Sequence, residues 1–301
     1  MSRTPVGVLL MAYGAAESLA ELPAYLQDIL GGRPVPPALL ADLDQRYRRI
    51  GGRSPLIDIT KKQAQTLGRR LGADFRVVVG MRHSAPTIRS AVDALAGVQK
   101  VVALPLTPYQ SGMSTGAYFQ KLEAAVRESG AGFEVLRAGA WHEQPVLREA
   151  LADKTRRAVD SLGPDAAVIL SAHSLPARIE AEGDPYPAQL RATAEAVARA
   201  AGLSEWRFAF QSKPGAAREA WLGPDVADAL DELAAAGRKA VAISPIGFIS
   251  DHLETLYDDD VFYREQAQRL GMRFARAEAL NDDPRLIEAL AKVVESTLAA
   301  A

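Results

Sequence analysis

Short apolar runs recur along the chain: VGVLLMA (6–12), FRVVVGM (75–81), KVVALPL (100–106), FEVLRAG (133–139), AAVILSA (166–172), WRFAFQS (206–212) and KAVAISPIG (239–247). Between them lie longer stretches of helical period, such as IRSAVDALAGV, VLREALADKTRRAVDSL and QLRATAEAVARAAG. Strand-length runs of unbroken hydrophobicity suit strands covered on both faces. Their alternation with amphipathic helices predicts an α/β protein whose parallel sheets are flanked by helices. The Pro/Gly-rich GGRPVPP (31–37) reads as a loop between helices, and GDPYP (183–187) as a tight turn.

The pattern also repeats itself. VLLMAYG (8–14) superposes on VILSAHS (168–174) with an offset of 160, which sets Tyr13 against His173. VVALPL (101–106) superposes on VAISPI (241–246) with an offset of 140, which sets Pro105 against Pro245. Echoes this short also arise by chance, but two in the same order favour a duplicated α/β unit. The expected architecture is two Rossmann-like lobes, an N-terminal one over 1–108, completed by the C-terminal helix at about 288–301, and a C-terminal one over 109–287. Open parallel sheets bind ligands beyond the carboxyl ends of their strands, so a cleft between the lobes is expected, with Tyr13 and His173 on either side of it.

Composition narrows the function classes. The 301 residues carry 35 basic and 37 acidic side chains, a net charge of −2 that gives no electrostatic reason to expect nucleic acid. Cysteine is absent, which excludes disulfides, thiolate metal sites, thiol catalysis and a cysteine-held iron–sulfur cluster. The N-terminal MSRTPVGVLLMAYG is too short in its apolar part for a secretory signal and is better read as a first strand. No stretch is long and apolar enough to span a membrane, so a soluble cytoplasmic protein is expected. Gly-x-Gly-x-x-Gly after the first strand and a Walker A sequence are both missing, leaving nucleotide binding without support.

Two places carry candidate chemistry. His173 is one of four histidines and ends an apolar run, where α/β sheets build their sites, although a lone histidine is often a core or capping residue. After another run, SPIGFISDHLETLYDDD (244–260) concentrates Asp251, His252, Glu254, Asp258, Asp259 and Asp260. A helix starting near Ser250 puts Glu254 and Asp258 on one face. Such a ladder repels itself unless a cation sits nearby. For the outer aspartates a solvated acidic helix start is the simpler reading. Glu254, directly after a strand end, is the functional candidate. One imidazole and one carboxylate suit an open site for a borderline divalent cation, or a proton acceptor and relay near neutral pH.

The motifs MAYG, RYRRIGGRSPL, SAHSLP, GDPYPAQL, FQS, WLGPDV and FISDHLETLYD, in this order from residue 11 to residue 260, resemble those of the ferrochelatase family, and most closely its bacterial coproporphyrin III enzymes. The resemblance implies a chelatase-like fold and insertion of iron(II) into a porphyrin, with two pyrrole protons released, in haem biosynthesis. It implies His173 and Glu254 as the catalytic and metal-handling pair, and Tyr13 as the axial ligand to product iron. Arg46, Tyr47, Ser54 and Tyr118 are implied as contacts to the propionates, with His83 and Asp258 as accessory residues. Tyr13 points to coproporphyrin III as the substrate; protoporphyrin IX is the nearby alternative, followed by a cobalt or nickel chelatase.

A non-catalytic haem or tetrapyrrole carrier is the alternative from another class, and a two-lobed solute-binding protein a third. Iron(II) is expected as substrate, with no tightly bound cofactor, and the expected state is a monomer. A haem acceptor or downstream decarboxylase is the expected protein partner. Three positions depart from the family pattern. Ala15 and Ala16 follow Gly14, Leu30 stands where an arginine is common, with Arg33 nearby, and Phe262 replaces an acid.

Overall fold

The computed structural model describes residues 5–214 and 219–301. Contacts divide the chain into two compact units, Met1–Trp141 with Asn281–Ala301, and His142–Leu280. In chain order the first contains β1 (Val6–Ala12), α1 (Leu22–Ile29), α2 (Pro37–Arg49), α3 (Leu56–Leu71), β2 (Phe75–Met81), α4 (Ile88–Ala94), β3 (Lys100–Pro105), α5 (Thr115–Ser129) and β4 (Glu134–Arg137). The second contains α6 (Pro145–Asp160), β5 (Ala167–His173), the single turn α7 (Arg178–Ala181), α8 (Tyr186–Ala201), β6 (Arg207–Gln211), α9 (Val226–Ala235) and β7 (Ala240–Ser244). It continues through a π-helix (Glu254–Tyr263), α10 (Arg264–Arg269) and β8 (Arg273–Arg276), after which α11 (Pro284–Ala299) returns to the first unit.

Each unit holds one all-parallel sheet, ordered β2-β1-β3-β4 in the first and β6-β5-β7-β8 in the second. The central strands are apolar along most of their length because helices cover both faces. In the first unit Leu9, Met11, Val101 and Ala103 pack with Ile88 and Val92 of α4 and Leu122 of α5. In the second, Ile169, Val241 and Ile243 pack with Val226 and Leu230 of α9 and Tyr263. The internal echo is a register match. Gly7 pairs with Val101, and the residues at the same two offsets, Ala167 and Val241, pair with each other.

The repeat extends to a feature the sequence did not suggest. The N–H of Met81, at the end of β2, donates to the Pro86 carbonyl at 2.7 Å, and that of Phe210 in β6 donates to the Pro224 carbonyl at 2.7 Å. In each case the next residue caps a helix. Thr87 accepts from the Ser90 N–H before α4, and Asp225 from the Ala227 N–H before α9.

The unit boundary differs from the one expected at 108/109. β4 pairs with β3 from Lys100↔Glu134 to Ala103↔Arg137, so the segment after β3 completes the first sheet and the division falls after Trp141. The return begins at Asn281 rather than near 288, where the Gln63 side-chain amide donates to the Asn281 carbonyl at 2.6 Å. Among the described residues no helix is long and apolar enough to cross a membrane.

Candidate active site

In both sheets the chain order reverses beside the second strand, between β1 and β3 and between β5 and β7. Such switch points, at the carboxyl ends of the strands, are where open α/β sheets bind ligands. His173 is the last residue of β5, and the segment after β7 leads to Glu254. The close approach of that segment to β5 depends on Gly247. A Cβ there would sit 2.6 Å from Ala172 Cβ and 2.8 Å from Ala172 Cα, and the Gly247 N–H donates to the Ser171 carbonyl at 3.1 Å.

His173 Nδ1 lies 2.9 Å from Glu254 Oε2, and each side chain is 31% exposed, so the pair is supported from behind and open to solvent in front. Trp221 and Phe248 stand edge-on to the imidazole with centroids 6.5 Å away, and the Tyr186 hydroxyl donates to the His173 carbonyl at 3.0 Å. Burial opposes charge on His173, but Glu254, by charge and hydrogen bond, outweighs it and raises the imidazole above 6.5. Burial likewise works against the Glu254 carboxylate, yet His173 and then His252 hold it far below 4.5. His252 Nε2 is 3.8 Å from Glu254 Oε2, while its Nδ1 lies 3.0 Å from the Ser250 carbonyl. The pair is an imidazolium carboxylate at mildly acidic pH and offers a proton acceptor once the imidazole is neutral.

Glu254 opens the π-helix rather than a regular α-helix starting near Ser250. Bonding to the fifth residue widens the turn, a geometry found mostly at functional sites. It brings Asp258 and Asp259 back towards the sheet, which overturns the reading of these acids as a solvated helix start. Asp258 is 6% exposed and accepts from the hydroxyl of Ser212, whose φ of 62° lies in the left-handed region. Asp259 is fully buried, and among the described residues neither of its oxygens is within strict hydrogen-bond geometry of a partner, the Gln211 side chain being the polar group that faces it. Desolvation raises its pKa well above 3.8 despite the opposing Arg276. The Gln211 amide nitrogen is buried facing Asp259, while its oxygen accepts from Ser171 at 2.7 Å.

In the first unit Tyr13 follows β1 and is 41% exposed. Its ring packs on that of His83 at 4.6 Å, and the Arg82 guanidinium lies 5.9 Å from the Tyr13 ring and 6.0 Å from that of Tyr118. His83 Nδ1 bonds Asp28 at 2.6 Å, and burial, outweighing that contact, lowers the His83 pKa below 6.5. Lys121, one turn beyond Tyr118 on α5, lies 3.5 Å from Asp28.

Several expected substrate contacts are buried or paired. Tyr47 is 1% exposed on the inner side of α2, and its hydroxyl accepts from the Ala16 N–H at 3.2 Å, bracing the turn after β1. Ser54 is also 1% exposed and accepts from the Leu56 N–H at the start of α3. Neither presents its hydroxyl to solvent. Tyr118 is buried under Arg82, while Arg46 is half-buried and pairs with Asp42 at 2.8 Å. Arg33 donates from Nε to the Leu30 carbonyl at 2.8 Å, and Phe262 is 47% exposed. Among the described residues no group of three or more His, Cys, Asp or Glu is arranged to hold a metal ion. Sequence reasoning passed over Gln211, Ser212, Tyr186 and Trp221 individually, although all four lie in the motifs FQS, GDPYPAQL and WLGPDV.

The family model described as "Ferrochelatase" matches residues 5–298. A protein of Deinococcus radiodurans named "Ferrochelatase" is 40% identical over 98% of this chain and 96% of its own length. One of Geobacillus thermodenitrificans, named "Coproporphyrin III ferrochelatase", is 37% identical over 99% of this chain and 98% of its own length. Among solved structures, SirB from Bacillus subtilis with Fe3+ superposes with a TM-score of 0.55 at 12% identity, covering 97% of this chain and 95% of its own, a likeness of fold. CbiX, described as the terminal enzyme of sirohaem biosynthesis in denitrifying bacteria, gives 0.51 at 15% identity over 97% of this chain and 98% of its own.

Proposed function

The chain belongs to the ferrochelatase family, lyases that insert metal into porphyrin, and from that premise we propose that it inserts iron(II) into coproporphyrin III. The observation that supports the choice of porphyrin is Tyr13, a half-exposed phenol at the carboxyl end of β1, where the family resemblance puts the axial ligand of the coproporphyrin enzymes. The Geobacillus relative, similar along its whole length and named for coproporphyrin III, favours the same substrate.

In the reaction two pyrrole N–H bonds break, two protons leave, and the ring nitrogens take up iron(II). The neutral His173 imidazole accepts a pyrrole proton. Glu254, 2.9 Å behind it, stabilises the imidazolium and passes the proton out to solvent, and the imidazole, neutral again, accepts the second pyrrole proton. Placing this acceptor on a strand end fixes its position before substrate arrives. Tyr13 ligates the product iron, and Arg46 and Arg82 supply positive charge for propionates. Iron is the substrate of this site, and the proposal needs no resident cofactor. The setting proposed is a cytoplasmic monomer that passes its product to a haem acceptor or to a decarboxylase acting on the propionates.

The test is anaerobic iron(II) insertion into coproporphyrin III and protoporphyrin IX, side by side, followed as loss of porphyrin fluorescence. A strong preference for coproporphyrin III is expected. A preference for protoporphyrin IX would keep the chelatase and remove Tyr13 as a mark of substrate. Tight haem binding with insertion into neither porphyrin would overturn the assignment in favour of a carrier.

A further inference from the structure

Residues 251–260 carry five acids, Asp251, Glu254, Asp258, Asp259 and Asp260, and their mutual repulsion calls for a cation. That cation comes from Arg276, the last residue of β8, whose side chain is only 10% exposed. Its Nε and Nη2 donate to Asp260 Oδ2 at 3.0 and 2.8 Å, while Nη1 reaches Asp251 Oδ1 at 3.0 Å. One planar fork thus joins an acid three residues before Glu254 to an acid six residues after it. The segment that carries Glu254 is tied to the sheet edge just before the π-helix, at Asp251, and again within it, at Asp260.

The Asp251 end leads on to the site. Asp251 Oδ1 lies 3.3 Å from the Thr255 hydroxyl, which accepts from the His252 N–H at 3.0 Å, and His252 stands 3.8 Å from Glu254. At the other end Arg264 adds a second contact to Asp260 at 3.1 Å. A π-helix is rare and mostly lasts a single turn, so charge-assisted bonds before and within this one hold its span.

We propose that Arg276 is a positioning residue for the Glu254–His173 pair, holding the π-helix at the span that presents the Glu254 carboxylate to the imidazole. A lysine keeps the charge but lacks the fork, and so reaches one carboxylate and releases the other. The kinetic consequence rests on the chelatase reading given above; the geometric one does not.

The experiment uses the full chain labelled with 15N-histidine, without substrate and at a fixed mildly acidic pH. With four histidines in the sequence, the His173 ring nitrogens can be assigned by comparison with Glu254→Gln and His173→Asn. In folded Arg276→Met the His173 nitrogens are expected to move to the positions seen in Glu254→Gln, with Arg276→Lys between that variant and the native protein. In parallel, kcat for insertion falls about 10²-fold, the cost of misplacing a reacting group by about 1 Å, while KM for the porphyrin stays within twofold. Asp251→Asn, which leaves the Asp260 contacts in place, gives the same readout should Arg276→Met not fold. Native ring-nitrogen shifts and native kcat in folded Arg276→Met or Asp251→Asn would overturn the proposal. Shifted nitrogens in a protein whose native form inserts no iron would uphold the positioning role and refute the chelatase reading.

Discussion

Nδ1 of His173, at the end of β5, lies 2.9 Å from Oε2 of Glu254, at the start of the π-helix that follows β7. The two strands are neighbours, paired from Ala167↔Val241 to Leu170↔Ser244, so the contact is set by sheet order and not by proximity in sequence. The two groups are electrostatically coupled. The contact raises one pKa and lowers the other, as two groups do that favour each other's charged form.

The sign of the pH response follows. The raised imidazole contributes stability that is fully present below 6.5 and is lost as pH rises through its folded value. The lowered carboxylate contributes stability that is present above 4.5 and is lost only as pH falls through its own folded value. Activity runs the other way, because only the neutral imidazole accepts a proton, and the rate climbs with pH through the folded pKa of His173. In Glu254→Gln, burial acts on His173 without its main opponent. The His173 pKa measured by NMR titration should drop below its native value and the acid limb of the kcat profile should shift to lower pH. The maximal rate should fall by roughly 10²–10⁴-fold, the usual contribution of proton transfer by a positioned group. A native acid limb in this variant would show that Glu254 does not tune His173.

Asp259 gives a stability test. Its raised pKa means that the folded protein holds a proton which the unfolded chain loses above about 3.8. Stability therefore declines as pH rises from there through the folded value. Asp259→Asn keeps the shape and removes the titration. Urea midpoints at pH 5 and pH 8 should differ less in this variant than in the native protein, with the gain at pH 8. Equal pH dependence in the two proteins would mean that Asp259 is ionised in the fold.

Tyr13 is exposed enough to be replaced without disturbing the core. Tyr13→Phe is expected to keep insertion within about tenfold, since the phenol takes no part in proton transfer. The absorption spectrum of the bound ferric product should change, because an oxygen ligand has been removed. An unchanged spectrum would show that Tyr13 is not the ligand.

Much of this arrangement was legible in the chain, for identifiable reasons. Each of the seven apolar runs coincides with a strand, β5 running one residue beyond its run to His173, and the central strands stand out because burial on both faces writes itself as a run of hydrophobicity. The offsets of 160 and 140 anticipated the matching registers of the two sheets. β8 was missed because RFAR is an edge strand with arginine at both ends, a pattern that reads as surface. The π-helix was missed because Glu254 and Asp258 share a face in either kind of helix, and nothing in the residue types distinguishes the wider turn. That Tyr47 and Ser54 are buried was not legible either, because motif membership does not tell how deep a side chain lies. Arg276, 22 residues after Glu254, joins the site only through the β7–β8 pairing, which no local pattern encodes.

The central claim is that His173 accepts the pyrrole proton. Its most direct test is His173→Ala, assayed anaerobically for iron(II) insertion, with porphyrin binding measured separately by fluorescence titration. The expected result is a loss of turnover of at least about 10²-fold with porphyrin affinity within a few-fold of native. Native turnover in a folded, porphyrin-binding variant would contradict the account.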